Sequence, residues 1–223
     1  MVGEEITLIV DTGANALAAS TIHGYATAVR PANRVIVINT EKHFDHIGGN
    51  GYFREQGIAV HGHAAIERTP EEFRAELAEF NAGISHPVRR AQSEERVFYF
   101  QTSPANPDHP ITGDTQFDLG DCSIQVLLTP GHTPTNISIF VPGDGVVFCG
   151  DCLTSRYLPN LECGGPDDWR QWLDSLDRIA ALKPATIVCG HGPVASGDEV
   201  SPLLDTMRDI LTQAIATGRP PTV

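Results

Sequence analysis

Residues 41–50 read Glu41-Lys42-His43-Phe44-Asp45-His46-Ile47-Gly48-Gly49-Asn50, the densest polar cluster in the chain. Four possible metal donors, Glu41, His43, Asp45 and His46, fall within it. It follows the run Arg34-Val35-Ile36-Val37-Ile38, whose β-branched residues predict a buried strand. Three more clusters share that setting. Thr129-Pro130-Gly131-His132 follows Leu127-Leu128, Gly150-Asp151-Cys152 follows Val146-Val147-Phe148, and Gly190-His191-Gly192 follows Thr186-Ile187-Val188-Cys189. Polar side chains at the mouths of strands, flanked by glycine and proline, are expected to converge on one edge of a sheet.

Taken singly, each cluster has an ordinary reading. His43 fits a surface position or a helix N-cap, His132 and His191 fit loop histidines, and Asp151 fits a turn. Turn chemistry does not account for all four in this order. Imidazole and carboxylate suit zinc and other first-row divalent ions, and one zinc ion takes about four ligands. Glu41, His43, Asp45, His46, His132, Asp151 and His191 suffice for two ions with a shared carboxylate. Alternate residues of an extended segment point the same way. Glu41, His43 and Asp45 are therefore expected on one side, with His46 diverging.

The rest of the chain reads as interleaved strands and helices, which predicts an α/β protein. Strands are expected at 7–10, 34–38, 58–60, through 116–128 with a turn at 119–121, at 137–141, 146–149 and 186–189. Helices are expected at 14–29, 70–82, 166–182 and 201–217. Residues 83–116 read as a long loop with extended structure near 97–100, of the kind that forms lids. No repeat or linker is visible, so one domain over 1–223 is expected.

Composition narrows the function. Of 223 residues, 28 are acidic and 15 are Lys or Arg, giving a formal charge of −13. Such a surface disfavours nucleic acid as a generic partner. No run reaches the roughly 20 apolar residues of a membrane helix. Five cysteines in a chain of this length do not suggest a disulfide framework. Cys149-x-x-Cys152 ends an apolar run and reads as core rather than as a zinc or redox pair. No signal-peptide pattern opens the sequence, so a cytoplasmic location is expected.

The order Asp11-Thr12-Gly13, xHxDHxGGN at 42–50, Gly131-His132-Thr133, Gly150-Asp151 and Gly190-His191-Gly192 resembles the metallo-β-lactamase superfamily of metal-dependent hydrolases. The resemblance covers residues 7–194. It implies a four-layer αββα sandwich with a binuclear site. His43 and His132 would serve one ion, Asp45, His46 and His191 the other, and Asp151 would bridge them. Asp11 would support the site from behind. Water acidified by the metal would attack an electrophilic carbonyl or phosphorus, with catalytic Asp45 orienting it and then protonating the leaving group.

Two departures from the family pattern stand out. Glu41 replaces the first histidine of the commonest pattern, HxHxDH. Zinc is expected for the imidazole-rich set, and the Glu41 carboxylate, harder than imidazole, shifts the first site toward iron or manganese. Only six residues precede Thr7, where relatives usually have a strand pair. The chain is a clipped one, its start is misassigned, or its first sheet has fewer strands. Asp151 at the bridging position disfavours β-lactam hydrolysis, and the 32 residues after His191 are too few for the glutathione-binding domain of glyoxalase II. A small ester, thioester or lactone is the expected substrate. The alternatives are a phosphodiesterase, a β-lactamase-like hydrolase, or a metal-binding scaffold without hydrolase activity.

Overall fold

The computed structural model describes residues 1–83, 102–161 and 164–220. The extended stretch expected near 97–100 lies outside them. The chain divides into two compact units, Met1–Ile111 with Leu119–Asp121, and Thr112–Asp118 with Cys122–Val223.

The first unit runs β1 (Ile6–Val10), α1 (Ala16–Val29), β2 (Arg34–Ile38), α2 (Phe44–Ile47), α3 (Asn50–Glu55), β3 (Val60–His63), α4 (Pro70–Gly83) and β4 (His109–Ile111). Its sheet has the order β1-β2-β3-β4, with every neighbouring pair parallel. Parallel neighbours need a crossover, and α1 supplies the first. The Asn15 side chain caps α1 by accepting from Ala18 N at 2.8 Å. Ile9, Val35, Val37 and Val60 pack with Ala19 of α1 and Phe53 of α3. Among the described residues β1 and β4 end this sheet, and Val2 makes a bridge to Thr7 of β1.

Two expectations fail here. The third strand starts at Val60, not Ile58, because Ile58 N donates to Phe53 O and so still closes α3. The strand therefore extends through His61 and His63. The long loop expected over 83–116 contains β4, which pairs with β3 in register His61↔His109. Pro110 hid it, since proline is accepted at a sheet edge but reads as a strand breaker.

The second unit runs β5 (Thr115–Asp118), β6 (Ser123–Leu128), β7 (Ile137–Val141), β8 (Val146–Phe148), α5 (Pro166–Ala181), β9 (Thr186–Val188), β10 (Ala195–Ser196) and α6 (Val200–Thr217). The sheet order is β10-β9-β8-β7-β6-β5. All pairs are antiparallel except β8 and β9, which α5 connects. Pro166 opens α5, and Trp169, Trp172, Leu176 and Ile179 are buried at helical spacing. Gly218 ends α6 in the left-handed conformation. β10, two residues long, is too short to leave a pattern.

Cys149, Cys152 and Cys189 lie in the core that α5 and α6 cover. Burial pushes the Cys152 thiol up to about 12 and also raises Cys149. Both stay protonated, as packing residues do. Among the described residues, no helix is long and apolar enough to cross a membrane.

Candidate metal centre

In the first unit the donors sit where β2 gives way to α2. The chain does not stay extended there. His43 is the N-cap of α2, and Asp45 and His46 lie in its single turn. Gly48 N closes that turn on Phe44 O, and Phe44 and Ile47 are fully buried against Ile66 and Phe73. Burial of those two apolar residues winds the segment and overturns the expected alternation. His46 does not diverge from Glu41, and its Nε2 lies 3.4 Å from Glu41 Oε1 and 3.6 Å from Asp45 Oδ2. Glu41 is wholly buried, and its Oε2 is 2.8 Å from His43 Nδ1.

Asp11 fixes the His46 ring from the other side, with Oδ2 2.8 Å from Nδ1. The same carboxylate accepts from Thr40 N and Thr40 Oγ1, each at 2.7 Å. Asp11 adopts φ 59°, uncommon for a non-glycine residue. A ring nitrogen held by a carboxylate, with the other turned toward donors, is the usual posture of a metal-binding histidine.

The His46 backbone is clamped by side chains that sequence reasoning passed over. Its carbonyl accepts from Thr12 Oγ1 at 3.0 Å and Asn39 Nδ2 at 3.1 Å. Asn50 joins both clamps, accepting from Thr12 Oγ1 and Asn39 Nδ2 and donating to Asn39 Oδ1 at 2.8 Å. All three are buried. The signal was available in the Asn39 at the mouth of β2 and the Asn50 that closes the cluster.

In the second unit His132 lies on the β6–β7 loop, Asp151 in the 3-10 turn Gly150–Cys152 after β8, and His191 after β9. Asn136 holds the first loop by donating to Thr129 Oγ1 and Cys149 O. α5 ties the loops together, Trp172 Nε1 donating to Cys152 O at 2.9 Å and Ser175 Oγ to Pro130 O at 2.6 Å. Gly190 lets the Asp151 carboxylate pass, since a Cβ there would stand 1.9 Å from Oδ1. Asp151 Oδ2 lies 3.6 Å from His132 Nε2 and 3.3 Å from His191 Nε2.

These separations test the fit to a metal. Charge-assisted hydrogen bonds run about 2.7–2.9 Å, whereas tetrahedral ligands each about 2.1 Å from one zinc ion stand about 3.4 Å apart. The His132–Asp151, His191–Asp151, His46–Glu41 and His46–Asp45 pairs all have the longer spacing. The His43–Glu41 pair has the shorter one. Asp45 with His46 in the first unit, and Asp151 with His132 and with His191 in the second, are thus spaced as ligands of divalent ions are, whereas Glu41 stands at hydrogen-bonding distance from His43.

The span that carries these donors matches a known family. The model of the metallo-beta-lactamase superfamily matches residues 1–191. The chain is similar to the hydroxyacylglutathione hydrolase of Rhodobacter capsulatus, 41% identical over 85 residues, 38% of this chain and 32% of that protein. It is also similar to a probable metallo-hydrolase of Bacillus subtilis (strain 168), YqgX, 26% identical over 159 residues, 70% of this chain and 68% of the relative. The matched part spans about a third of the length of the hydroxyacylglutathione hydrolases of Rhodobacter capsulatus and Hahella chejuensis. Among solved structures, a metallo-beta-lactamase family protein from Thermus thermophilus superposes with TM-score 0.69 at 23% identity, covering 97% of this chain and 74% of that one. A metallo-beta-lactamase from Pontibacter korlensis gives 0.65 at 21%, covering 94% and 83%. The parallel and mixed sheets, with histidine- and aspartate-bearing loops at their strand ends, are this family's fold, and the chain belongs to the metallo-beta-lactamase superfamily.

Proposed function

We propose that the chain, working as one domain over 1–223, is a metal-dependent hydrolase of small esters, thioesters or lactones. Two divalent ions would be held by Glu41, His43 and His132, and by Asp45, His46 and His191, with Asp151 shared. The observation that carries the reading is Asp151 Oδ2, spaced from two imidazole nitrogens as one ligand is from another. Zinc suits the imidazole-rich set, and the Glu41 carboxylate favours iron or manganese at the first position.

Bound ions would supply a Lewis acid that acidifies water and polarises a carbonyl. The chain's own residues do the rest. Asp45 is only partly buried, its side chain 40% exposed beside His46. It can accept a proton from the attacking water and return it to the leaving group. Asp11 keeps the His46 Nδ1 proton engaged, so Nε2 faces the donors. In the net reaction the water oxygen bonds to the acyl carbon and the carbon–sulfur or carbon–oxygen bond breaks. The leaving group departs with a proton as a thiol or alcohol. Relatives called hydroxyacylglutathione hydrolases favour a thioester within this class.

The test is metal quantitation on protein purified without added metal, followed by a panel on the metal-filled protein. The panel holds p-nitrophenyl acetate, an S-acylglutathione, a lactone, a β-lactam and bis-p-nitrophenyl phosphate. Turnover of the ester, thioester or lactone is the expected result. Activity confined to the phosphodiester or the β-lactam would replace this reading, and a metal-filled protein inert to all would leave a binding scaffold.

A further inference from the structure

Past Cys152 the second unit opens a cavity of about 400 Å³ that the metal donors do not use. Its walls are residues 154–159, residues 193–195 and the first half of α6. Leu204, Met207 and Leu211 turn the buried face of α6 to the core. Leu203 and Ile210 are only partly buried and widen the apolar stripe beyond what the core covers. Tyr157, Leu158 and Val194 stand on the rim at 64, 54 and 52% exposure. Large apolar side chains gathered at a concavity mark a binding site more often than scattered ones do. Arg156 holds φ 63°, a strained turn for a residue with a side chain, just before Tyr157 and Leu158.

The cavity is continuous with two of the donor loops. Thr154 bridges to His191, and Ser155 N donates to His191 O at 2.9 Å. Thr154 stands three residues after Asp151, and Pro193 two residues after His191. Two of the cavity walls thus belong to the same two loops that carry Asp151 and His191. Among the described lining residues only Arg156 and Glu199 are charged. The lining suits a hydrocarbon chain better than a charged peptide-like arm.

We propose that this cavity is an acyl subsite, taking a hydrocarbon chain of medium length from a carboxylic thioester or ester. The proposal rests on the hydrolase reading above and adds the substrate's acyl class to it. Each methylene moved from water into the cavity should raise kcat/KM about fourfold until the cavity is filled.

Two measurements separate this proposal from the hydrolase reading. The first is kcat/KM for thioesters of acyl length two to ten on the metal-filled protein. The octanoyl-to-acetyl ratio should be large in the wild type and collapse in Leu203→Trp, which fills the cavity from α6. The second is calorimetric binding of octanoate and acetate, which needs no turnover. Octanoate should bind at least tenfold more tightly, and Leu203→Trp should abolish the difference. Leu158→Asp, at an exposed rim position, repeats both tests if the tryptophan disturbs α6. Turnover without chain-length dependence overturns the subsite and keeps the hydrolase. Octanoate binding sensitive to Leu203 without turnover keeps the apolar site and overturns the hydrolase. Equal binding of octanoate and acetate in the wild type overturns the subsite.

Discussion

A wholly buried carboxylate such as Glu41 is costly unless cations or hydrogen bonds surround it. His43 and His46 both reach it, and a bound ion would complete the compensation. Under the proposed ligand set, Glu41→Ala should lose about one ion per chain and retain the ion of Asp45, His46 and His191. Glu41→His should keep both and move selectivity toward zinc. Mass-spectrometric metal content after equilibration with mixed zinc, manganese and iron reads both outcomes. Unchanged content in Glu41→Ala would show that Glu41 only hydrogen-bonds His43. Asp11 tests the same centre from behind. Asp11→Asn preserves side-chain shape and tolerates the left-handed backbone at φ 59°, but weakens the hold on His46 Nδ1. Metal affinity should fall about 10–100-fold, with an unaltered circular dichroism spectrum. An unchanged affinity would remove Asp11 from the site.

At the scale of elements, helix α5 and the β3–β4 pair make separate predictions. Gly131, next to His132, lies against α5, and a Cβ there would stand 2.3 Å from Trp172 Cβ. Its φ of 150° also disfavours a side chain. Gly131→Ala should therefore cost about 1–3 kcal/mol by overpacking, read as a lower urea midpoint, and should displace the His132 loop. A midpoint equal to the wild type would show that α5 yields freely. On β3, burial lowers the His61 pKa to about 4, helped by His109, whose ring centroid is 4.8 Å away, and by Arg34, and opposed by Asp108. The folded chain thus takes up this proton later than the unfolded one, whose histidine titrates near 6.5. The neutral ring's contribution to stability is complete above about pH 6.5 and is lost as pH falls toward 4. His61→Gln should flatten the fall in urea midpoint between those values. Equal slopes in both proteins would refute the assignment.

For the whole molecule, the net charge of −13 makes cation binding a matter of stability as well as chemistry. Ions that bind the folded chain alone stabilise it by about 2.7 kcal/mol per site at a hundredfold excess over Kd. In a chain of this length each kcal/mol is worth about 2–4 °C. Stripping the metals with a chelator should lower Tm by about 5–10 °C per occupied site, and zinc should restore it. A Tm indifferent to chelator and to added zinc would mean that the donor loops hold no ion.

The sequence by itself determined the strands buried on both faces, such as Arg34–Ile38 and Ile137–Val141, because such burial leaves a nearly unbroken apolar run. It also determined α5, whose tryptophans recur at helical spacing, and the donor loops, because histidine and aspartate beside glycine at strand ends are rare by chance. The tertiary structure alone decided the turn of α2, where burial of Phe44 and Ile47 against Ile66 and Phe73 outweighs the extended reading. It likewise decided β4, three residues long, which exists only because β3 offers it hydrogen-bonding partners. The clamp of Thr12, Asn39 and Asn50 on the His46 carbonyl joins residues up to 38 positions apart. Such networks leave no period in the sequence. Their energy comes from satisfying buried polar groups, and which groups are buried together is fixed only when the chain has folded.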